Sequence, residues 1–427
     1  MSIIKDIPEL VEAGVISQQT ADNIQHYYNN KGGQSQNKLL VVFGILGAVL
    51  VGLGIILIIA HNWDELSKIS KLCFAFLPLV IGQLLCVFTL LKKQDSTAWR
   101  EGAAAFLFFA VGASISLVSQ IYNISGDLSL FLLTWMLLCL PLIYVMRSSV
   151  ASLLYLIGIT SYATQAGYWA YPHTEPWYYW MLLLLMLPHY YLLYKKKPKG
   201  NFMIFHNWII PLSATITLGT VAKHTEELMF IAYISLFGLF YIIANMPFFQ
   251  NQKPRNNGYL SFGSIGTVAV LLFLSFNDFW KRLQTNHLKI TEVIQSQEFY
   301  ASIILSALAG IFLYLQKRNK PVINIKPIEF VFIFFILTFI IGTMSPIAVA
   351  LINLLVLAIA VLTIINGIKI DHLGILNYGL LIIAALVTCR FFDTGLSFVI
   401  RGILFVLVGA GFFFANFQMI KKRKENV

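Results

Sequence analysis

The chain has 427 residues, of which 58% are apolar and only 11% are charged. That charged fraction is roughly half of the ~25% typical of soluble domains. The composition excludes a soluble enzyme, a disordered protein and a disulfide-stapled secreted domain, and it predicts an all-α, polytopic transmembrane helix bundle.

Residues 1–38 are polar and precede the first apolar run, which argues against a cleavable signal peptide. Gly14 is placed to end one short helix, and Ser17 can cap the next because its hydroxyl accepts from a first-turn N–H. This segment is therefore predicted to be a small cytoplasmic helical hairpin. It is too small for a catalytic core of its own, so its expected role is that of an arm for a partner protein.

Residues 39–420 form the predicted transmembrane domain, and 421–427 form a basic cytoplasmic tail. A bilayer core needs about 20 apolar residues per helix, within a range of roughly 17–25. By this measure the sequence predicts about fourteen spans, with twelve as the alternative. The candidate segments are 39–60, 72–91, 102–122, 128–146, 149–170, 176–194, 205–222, 227–246, 260–279, 299–315, 327–342, 345–366, 372–389 and 395–420. The polar segment 280–298 between two of them is a candidate short interfacial helix.

The basic residues cluster at the ends of these apolar runs and alternate in density along the chain. With the N-terminus in the cytoplasm, 22 of the 30 Lys and Arg residues fall on the cytoplasmic side and seven on the outer side, while Arg401 lies inside the last span. Cationic loops are retained on the cytoplasmic side of membranes. The pattern therefore predicts that both termini are cytoplasmic, and it explains the net charge of +11 without a nucleic-acid partner.

Three stretches together carry a family resemblance. They are LVEAGVISQQTADNIQHYY leading into a glycine-rich span that ends IIAHNWDELS, then GASISLVSQIYNISGD at 112–127, and CRFFDTGLSFVIRGILFVLVG at 389–409. The combination resembles the DUF2157 family of predicted bacterial membrane proteins, and the second and third stretches are similar to the related DUF4401 and GDYXXLXY-type families. The resemblance implies a bacterial inner-membrane location and transfers no activity.

Several polar residues lie at the ends of spans that the topology places on the outer side. Because the ends of spans 1, 3, 13 and 14 share that side, these residues are candidates for one substrate-binding site. They are His61, Asp64, Gln120, Asn123, Arg390, Asp393 and Arg401.

Arg401 is the charge placed deepest within a predicted span. Asp393, Ser397 and Arg401 are spaced four residues apart, along one stripe of a helix. One hypothesis is that Arg401 lines an outward-facing cavity and, with Arg390, binds a phosphate or carboxylate. The alternatives are an internal ion pair with Asp393 or Asp64, or an arginine that snorkels to the outer headgroups.

The other candidates also have two interpretations. His61 could serve as a base and Asp64 as its acid or orienting group, or Asp64 could simply cap the following helix. Gln120 and Asn123 could contact substrate or form interhelical hydrogen bonds, and the mid-span amide of Asn353 is predicted to do the latter. His189 follows a proline, so a kinked helix is the simplest account of it.

No sequence motif indicates a metal or a cofactor, and we expect neither. The four cysteines have no CxxC or Cys/His spacing, and no phosphate-binding loop, HExxH or GxSxG motif is present. The identity of any catalytic residue stays open.

The leading functional hypothesis is a transporter or lipid-handling protein of the bacterial inner membrane, with an outward-facing polar cavity for an anionic or lipid-linked ligand. The alternatives are a membrane-embedded enzyme acting on a lipid-linked substrate at the outer leaflet, and a non-catalytic scaffold or sensor. Membrane lipid is an expected partner in every case.

Overall fold

The computed structural model describes residues 3–25, 63–249, 252–286, 289–318, 326–391 and 397–425. Every regular element within these ranges is a helix. The chain divides into two units, residues 1–76 and residues 77–427.

The first unit begins with the two short helices that the sequence predicts. Helix α1 spans Ile3–Glu12, and residues 18–25 form α2. Between them Gly14 has a φ of 70°, a left-handed conformation that glycine adopts without steric cost. The Ser17 hydroxyl accepts a hydrogen bond from the Thr20 N–H at 3.3 Å. The predicted helix end and helix cap are both confirmed, because both depend on residues only a few positions apart.

Fifteen further α-helices follow in the described part of the chain. After a 3₁₀ turn at Trp63–Glu65, the helices are α3 Lys68–Lys92, α4 Thr97–Ile121, α5 Leu128–Val145, α6 Ser149–Thr164, α7 Trp177–Lys196, α8 Asn201–Leu218, α9 Met229–Ala244, α10 Gly258–Leu274, α11 Asn277–Asn286, α12 Ile290–Gln295, α13 Gln297–Lys317, α14 Val331–Gly342, α15 Ile347–Lys369, α16 Leu373–Phe391 and α17 Phe398–Glu425.

The predicted spans correspond to helices, but fewer of them meet the requirements for crossing a bilayer. The first candidate, 39–60, lies outside the described residues, and each of the others contains a helix. Within the described ranges, eight helices are long and apolar enough to cross a membrane, or nine if the bent pair α10–α11 counts as one span. Helix α6, for example, has only 16 residues before it passes into a π-helical turn at Gln165–Trp169. The protein is a multi-pass membrane protein; the fourteen-span topology with both ends inside stays a prediction.

Helix α9 separates two hydrophobic cores in the second unit. Residues 234–240 are all buried, which covers almost two full turns and therefore every side of the helix. Leu236, Phe237 and Phe240 belong to a core built mainly by α4–α8. Ile234, Leu239 and Ile242 belong to a second core built with α10, α13, α14, α15 and α16. A helix that is apolar on every side is typical of a protein core or of a membrane span, and here protein surrounds it.

Close packing of α9 on α10 depends on glycine. A Cβ atom added at Gly263 would lie 2.6 Å from the Tyr241 backbone nitrogen and 2.8 Å from the Phe237 carbonyl oxygen. Small residues let transmembrane helices approach until their backbones touch. This contact fixes α10, and with it the start of α11, against α9.

The polar segment 280–298, a candidate short interfacial helix, is largely helical in its described residues. It contains most of α11 and all of α12, and it leads directly into α13. Helix α11 is bent by 68° from α10. Trp280 on α11 is fully buried, and its indole N–H donates to the Leu274 carbonyl at 2.7 Å. The predicted short helix is therefore present and docked on the bundle.

Candidate functional site

Part of the predicted site lies beyond what the structure describes. His61 and Asp393 are outside the described residues. The backbone of Arg401 belongs to α17, but its side chain is likewise outside the described part. Asp64 is exposed in the 3₁₀ turn Trp63–Glu65 of the first unit. The ion pairs and cavity predicted around Arg401 consequently stay predictions.

Gln120 and Asn123 lie where α4 ends, and both are exposed. Asn123 has a φ of 51°, and its N–H donates to the Gln120 carbonyl at 3.4 Å. The Ser119 hydroxyl donates to the Ile124 carbonyl at 2.9 Å. Asparagine tolerates the left-handed conformation better than most residues, so these contacts complete the turn that ends the helix. In the structure these residues end α4 locally, and any substrate contact by them stays a prediction.

Arg390 makes long-range contacts, at the end of α16. One of its terminal nitrogens, Nη2, donates to the Ser275 hydroxyl at 3.0 Å, and its guanidinium carbon lies 4.6 Å from the centre of the Phe276 ring. A guanidinium stacks on an aromatic ring and presents a rigid fork of donors. Arg390 is thereby held in a fixed orientation against the two residues that separate α10 from α11.

At the helix break around Ser275, backbone carbonyl groups lose the hydrogen bonds that a continuous helix would give them. The Ser275 hydroxyl donates to the Leu272 carbonyl at 2.6 Å and accepts from Arg390, so it acts as hydrogen-bond donor and acceptor at once. Trp280 satisfies the Leu274 carbonyl. Side chains from other elements therefore stabilise the open turn, which is the condition for irregular backbone inside a membrane protein.

Asn353 on α15 completes this group. Its side-chain nitrogen donates to the Ser275 carbonyl at 3.1 Å and to the Val349 carbonyl at 2.7 Å, which confirms the interhelical hydrogen bond predicted for this amide. Its side-chain oxygen is buried and has no hydrogen-bond partner in the described structure. We call Ser275, Phe276, Asn353 and Arg390 the helix-break site.

The helix-break site combines three kinds of polar group: guanidinium donors from α16, an amide oxygen from α15 and a hydroxyl from the residues between α10 and α11. Among the residues that the structure describes, no group of three or more His, Cys, Asp and Glu side chains is arranged to hold a metal ion. A planar, donor-rich guanidinium matches carboxylate or phosphate oxygens.

Two buried carboxylates that the sequence interpretation passed over tie helix ends together. Glu298, fully buried in the first turn of α13, accepts from the backbone N–H groups of Lys223, His224 and Thr225 at 2.5, 2.7 and 3.2 Å. Glu101, in the first turns of α4, accepts in the same way from the backbone N–H groups of Ser149 and Val150 at the start of α6. In the sequence, each of these residues is recognisable as a lone glutamate near the start of an apolar helix. Their hydrogen-bond partners could not be predicted, because they lie 47 to 75 residues away along the chain.

An ion pair joins two loops near Glu298. The Lys223 ammonium lies 2.8 Å from the Glu175 carboxylate, which also accepts from the Trp177 indole N–H at 2.7 Å. Desolvation raises the pKa of Glu175, but the hydrogen bonds from Lys223, Gln297 and Trp177, together with the charge of Lys223, outweigh it and hold the pKa below its usual value. A cavity of about 10 Å³ beside Trp177 and Gln297 has room for roughly one water molecule.

Comparison with known proteins is informative for the N-terminal part of the chain. Residues 8–152 match the model of the DUF2157 family, described as a predicted membrane protein. The match includes His61, Asp64, Gln120 and Asn123, and it ends before the helices that form the helix-break site. No curated protein and no solved structure matches the chain.

Proposed function

We propose that this multi-pass membrane protein is a transporter or lipid-handling protein that binds an anionic group at the helix-break site. The observation that carries the proposal is the bent pair α10–α11, whose break is contacted by an arginine from α16 and an amide from α15. Broken helices at which polar side chains converge are the usual construction of substrate sites in secondary transporters.

Arg390 supplies the affinity in this proposal. Its guanidinium can present two parallel N–H groups to a carboxylate or phosphate, and it is already oriented by Phe276 and Ser275. The free acceptor of Asn353 suits a hydroxyl or amine on the same ligand. A ligand with an anionic head and a neighbouring donor fits both groups.

The charge distribution supports a location for the site. The positive-inside rule places the α10–α11 break and the end of α16 on the outer side of a bacterial inner membrane. An anionic ligand would then approach from outside the cell or along the outer leaflet. We include Arg401 and Asp393 in this outer region as proposed neighbours. We also propose that the ligand is either lipid-linked or soluble, and that membrane lipid surrounds the site.

Thermal unfolding of the purified full chain in detergent tests the site. The probes are sodium phosphate, sodium acetate and dispersed phosphatidylglycerol, each compared with sodium chloride at equal ionic strength. We expect one of them to raise the unfolding temperature of the wild type and of Arg255→Gln, an exposed control arginine. Arg390→Gln should lose that shift, and Arg390→Lys should keep only part of it because lysine cannot bind bidentately. An equal shift in Arg390→Gln would refute the proposal.

Access to the site can be measured through Cys389, the neighbour of Arg390. In a variant that retains this cysteine alone, a membrane-impermeant maleimide added to intact cells should modify it. The stabilising probe should slow that reaction by occupying the site. A Cys389 that reacts only after the cells are permeabilised would contradict an outward-facing site.

A further inference from the structure

Two histidines are buried together where α6, α7 and α8 meet, in the first hydrophobic core. His206 on α8 is 0% exposed and His189 on α7 is 6% exposed, and their ring centres are 6.2 Å apart. Ionisable residues within membrane bundles are costly to retain, so a buried pair requires an explanation beyond packing.

The hydrogen bonds of His206 define which of its nitrogens is open to a proton. Nδ1 lies 2.7 Å from the Phe202 carbonyl oxygen, and a carbonyl only accepts, so Nδ1 carries the hydrogen. Nε2, 3.0 Å from the Ser152 hydroxyl, therefore accepts from that hydroxyl in the neutral ring. An added proton must bind at Nε2. The Ser152 hydroxyl can then rotate and accept from it, without any movement of the helices.

The Glu101 carboxyl group contacts the start of α6, one helical turn before Ser152. Ser148 caps α6 one turn before Ser152, and its hydroxyl donates to the Glu101 carboxylate. The backbone N–H groups of Ser149 and Val150 donate to the same carboxylate at 3.2 and 2.9 Å. Three donors suit an ionised carboxylate, which can only accept.

We propose that the His189–His206 pair binds one proton, with Glu101 as the countercharge. The step is a simple protonation: a proton from water bonds to the lone pair of Nε2 of His206, and the imidazole becomes an imidazolium. A buried cation is tolerated when an opposite charge is held nearby by hydrogen bonds. Nε2 of His189, buried and without a hydrogen-bond partner in the described structure, is the second acceptor through which the proton can pass.

The groups that face the pair come from every neighbouring helix. Arg100 lies 3.8 Å from Glu101 and is the opposing positive charge; it is partly exposed, whereas Glu101 is buried. The titratable neighbours also include phenols. Tyr144 on α5 contacts the backbone of His189, and the ring centre of Tyr190 on α7 lies 6.2 Å from that of His206. The proton site is separate from the helix-break site, which adjoins Leu274 of the second core.

Histidine NMR on the full chain in nanodiscs tests the proposal. With ¹³C- and ¹⁵N-labelled histidine, the variants His206→Gln and His189→Gln assign the two buried rings, and the exposed His173 serves as an internal reference. We expect one buried ring to change from the neutral to the charged chemical shifts as the pH is lowered. Both rings remaining neutral down to the lowest pH at which the protein stays folded would overturn the proposal.

The countercharge has its own test. Glu101→Gln should weaken proton binding at least tenfold, which appears as a titration midpoint at least one pH unit lower. An unchanged midpoint would overturn the role of Glu101. If that variant does not fold, as judged by its thermal unfolding, Ser152→Ala takes its place. It removes only the hydroxyl that accepts from the imidazolium, and the midpoint should again fall.

Discussion

At the scale of single residues, Gly342 at the end of α14 is a position with almost no room for a side chain. A Cβ added there would overlap the ring of Trp280, which is fully buried on α11, and would lie 3.0 Å from the Ala348 side chain. We expect Gly342→Ala to destabilise the protein by about 1–3 kcal/mol, the usual cost of overpacking a core.

The matched control is Gly310→Ala on α13, where an added Cβ meets nothing within 4 Å. Thermal unfolding of the two variants in the same detergent is the measurement. A fall in unfolding temperature for Gly310→Ala as large as that for Gly342→Ala would show that the loss of glycine, and not the contact with Trp280, is responsible.

Individual residues also show how far the sequence could be interpreted. The Ser17 cap and the end of α1 at Gly14 were predictable because their partners are local. The hydrogen bond of Asn353 was predictable in kind, since a mid-span amide needs a partner, but not in its target. Arg390 was singled out by its charge, whereas its partner Ser275 is 115 residues away and carries no signal of a helix break.

At the scale of helices, α5 begins with a cap whose removal has a defined cost. The Asp127 carboxylate accepts from the Leu130 N–H at 2.6 Å, and this bond is the main reason that the pKa of Asp127 is lowered. We expect Asp127→Ala to cost about 1 kcal/mol in stability, and Asp127→Asn to cost less because asparagine also caps helices. Equal unfolding temperatures for the two variants would show that the cap is not stabilising.

The ion pair between Glu175 and Lys223 joins the loops before α7 and before α9, and it should make stability depend on pH. The pKa of Glu175 is lower in the folded protein than in the unfolded chain, so its contribution is present above the unfolded value of about 4.3 and is lost as the pH falls through the folded value. We therefore expect Glu175→Gln to unfold at a lower temperature than the wild type at pH 7, with the difference disappearing below about pH 4.

Glu292→Gln is the control for that experiment. Glu292 forms an ion pair with Lys289 at 3.0 Å, but both side chains are largely exposed. Exposed pairs contribute little to stability, so this variant should match the wild type at every pH. A pH-independent difference for Glu175→Gln would mean that the carboxylate contributes through packing alone.

At the scale of the whole molecule, composition and charge were sufficient for an all-helical membrane fold but not for its span count. Apolar runs identify helices because both lipid and protein interiors exclude water. The same runs do not distinguish a helix that crosses the bilayer from one of 16 residues, such as α6. The two cores, the shared helix α9 and the buried histidines arise from contacts between distant segments, which no local pattern encodes.

The predicted topology can be tested with two single cysteines in exposed loops, Lys289→Cys and Lys199→Cys, in a background without native cysteines. The positive-inside rule predicts that residue 289 is outside and residue 199 is inside. A membrane-impermeant maleimide should therefore label the first in intact cells, and the second only after permeabilisation. Labelling of both in intact cells would refute the assignment of sides.

The burial of α9 on all sides has a consequence for how the protein is made. Residues of α4–α8 leave the ribosome before α9, whereas α13–α16 follow after it. Since domains form in the order of synthesis, the first core can close as soon as α9 and the start of α10 enter the membrane. The other side of α9 must face lipid until the C-terminal helices arrive. A chain that stops early would leave that side as an apolar surface open to other proteins, and quality control could recognise it there.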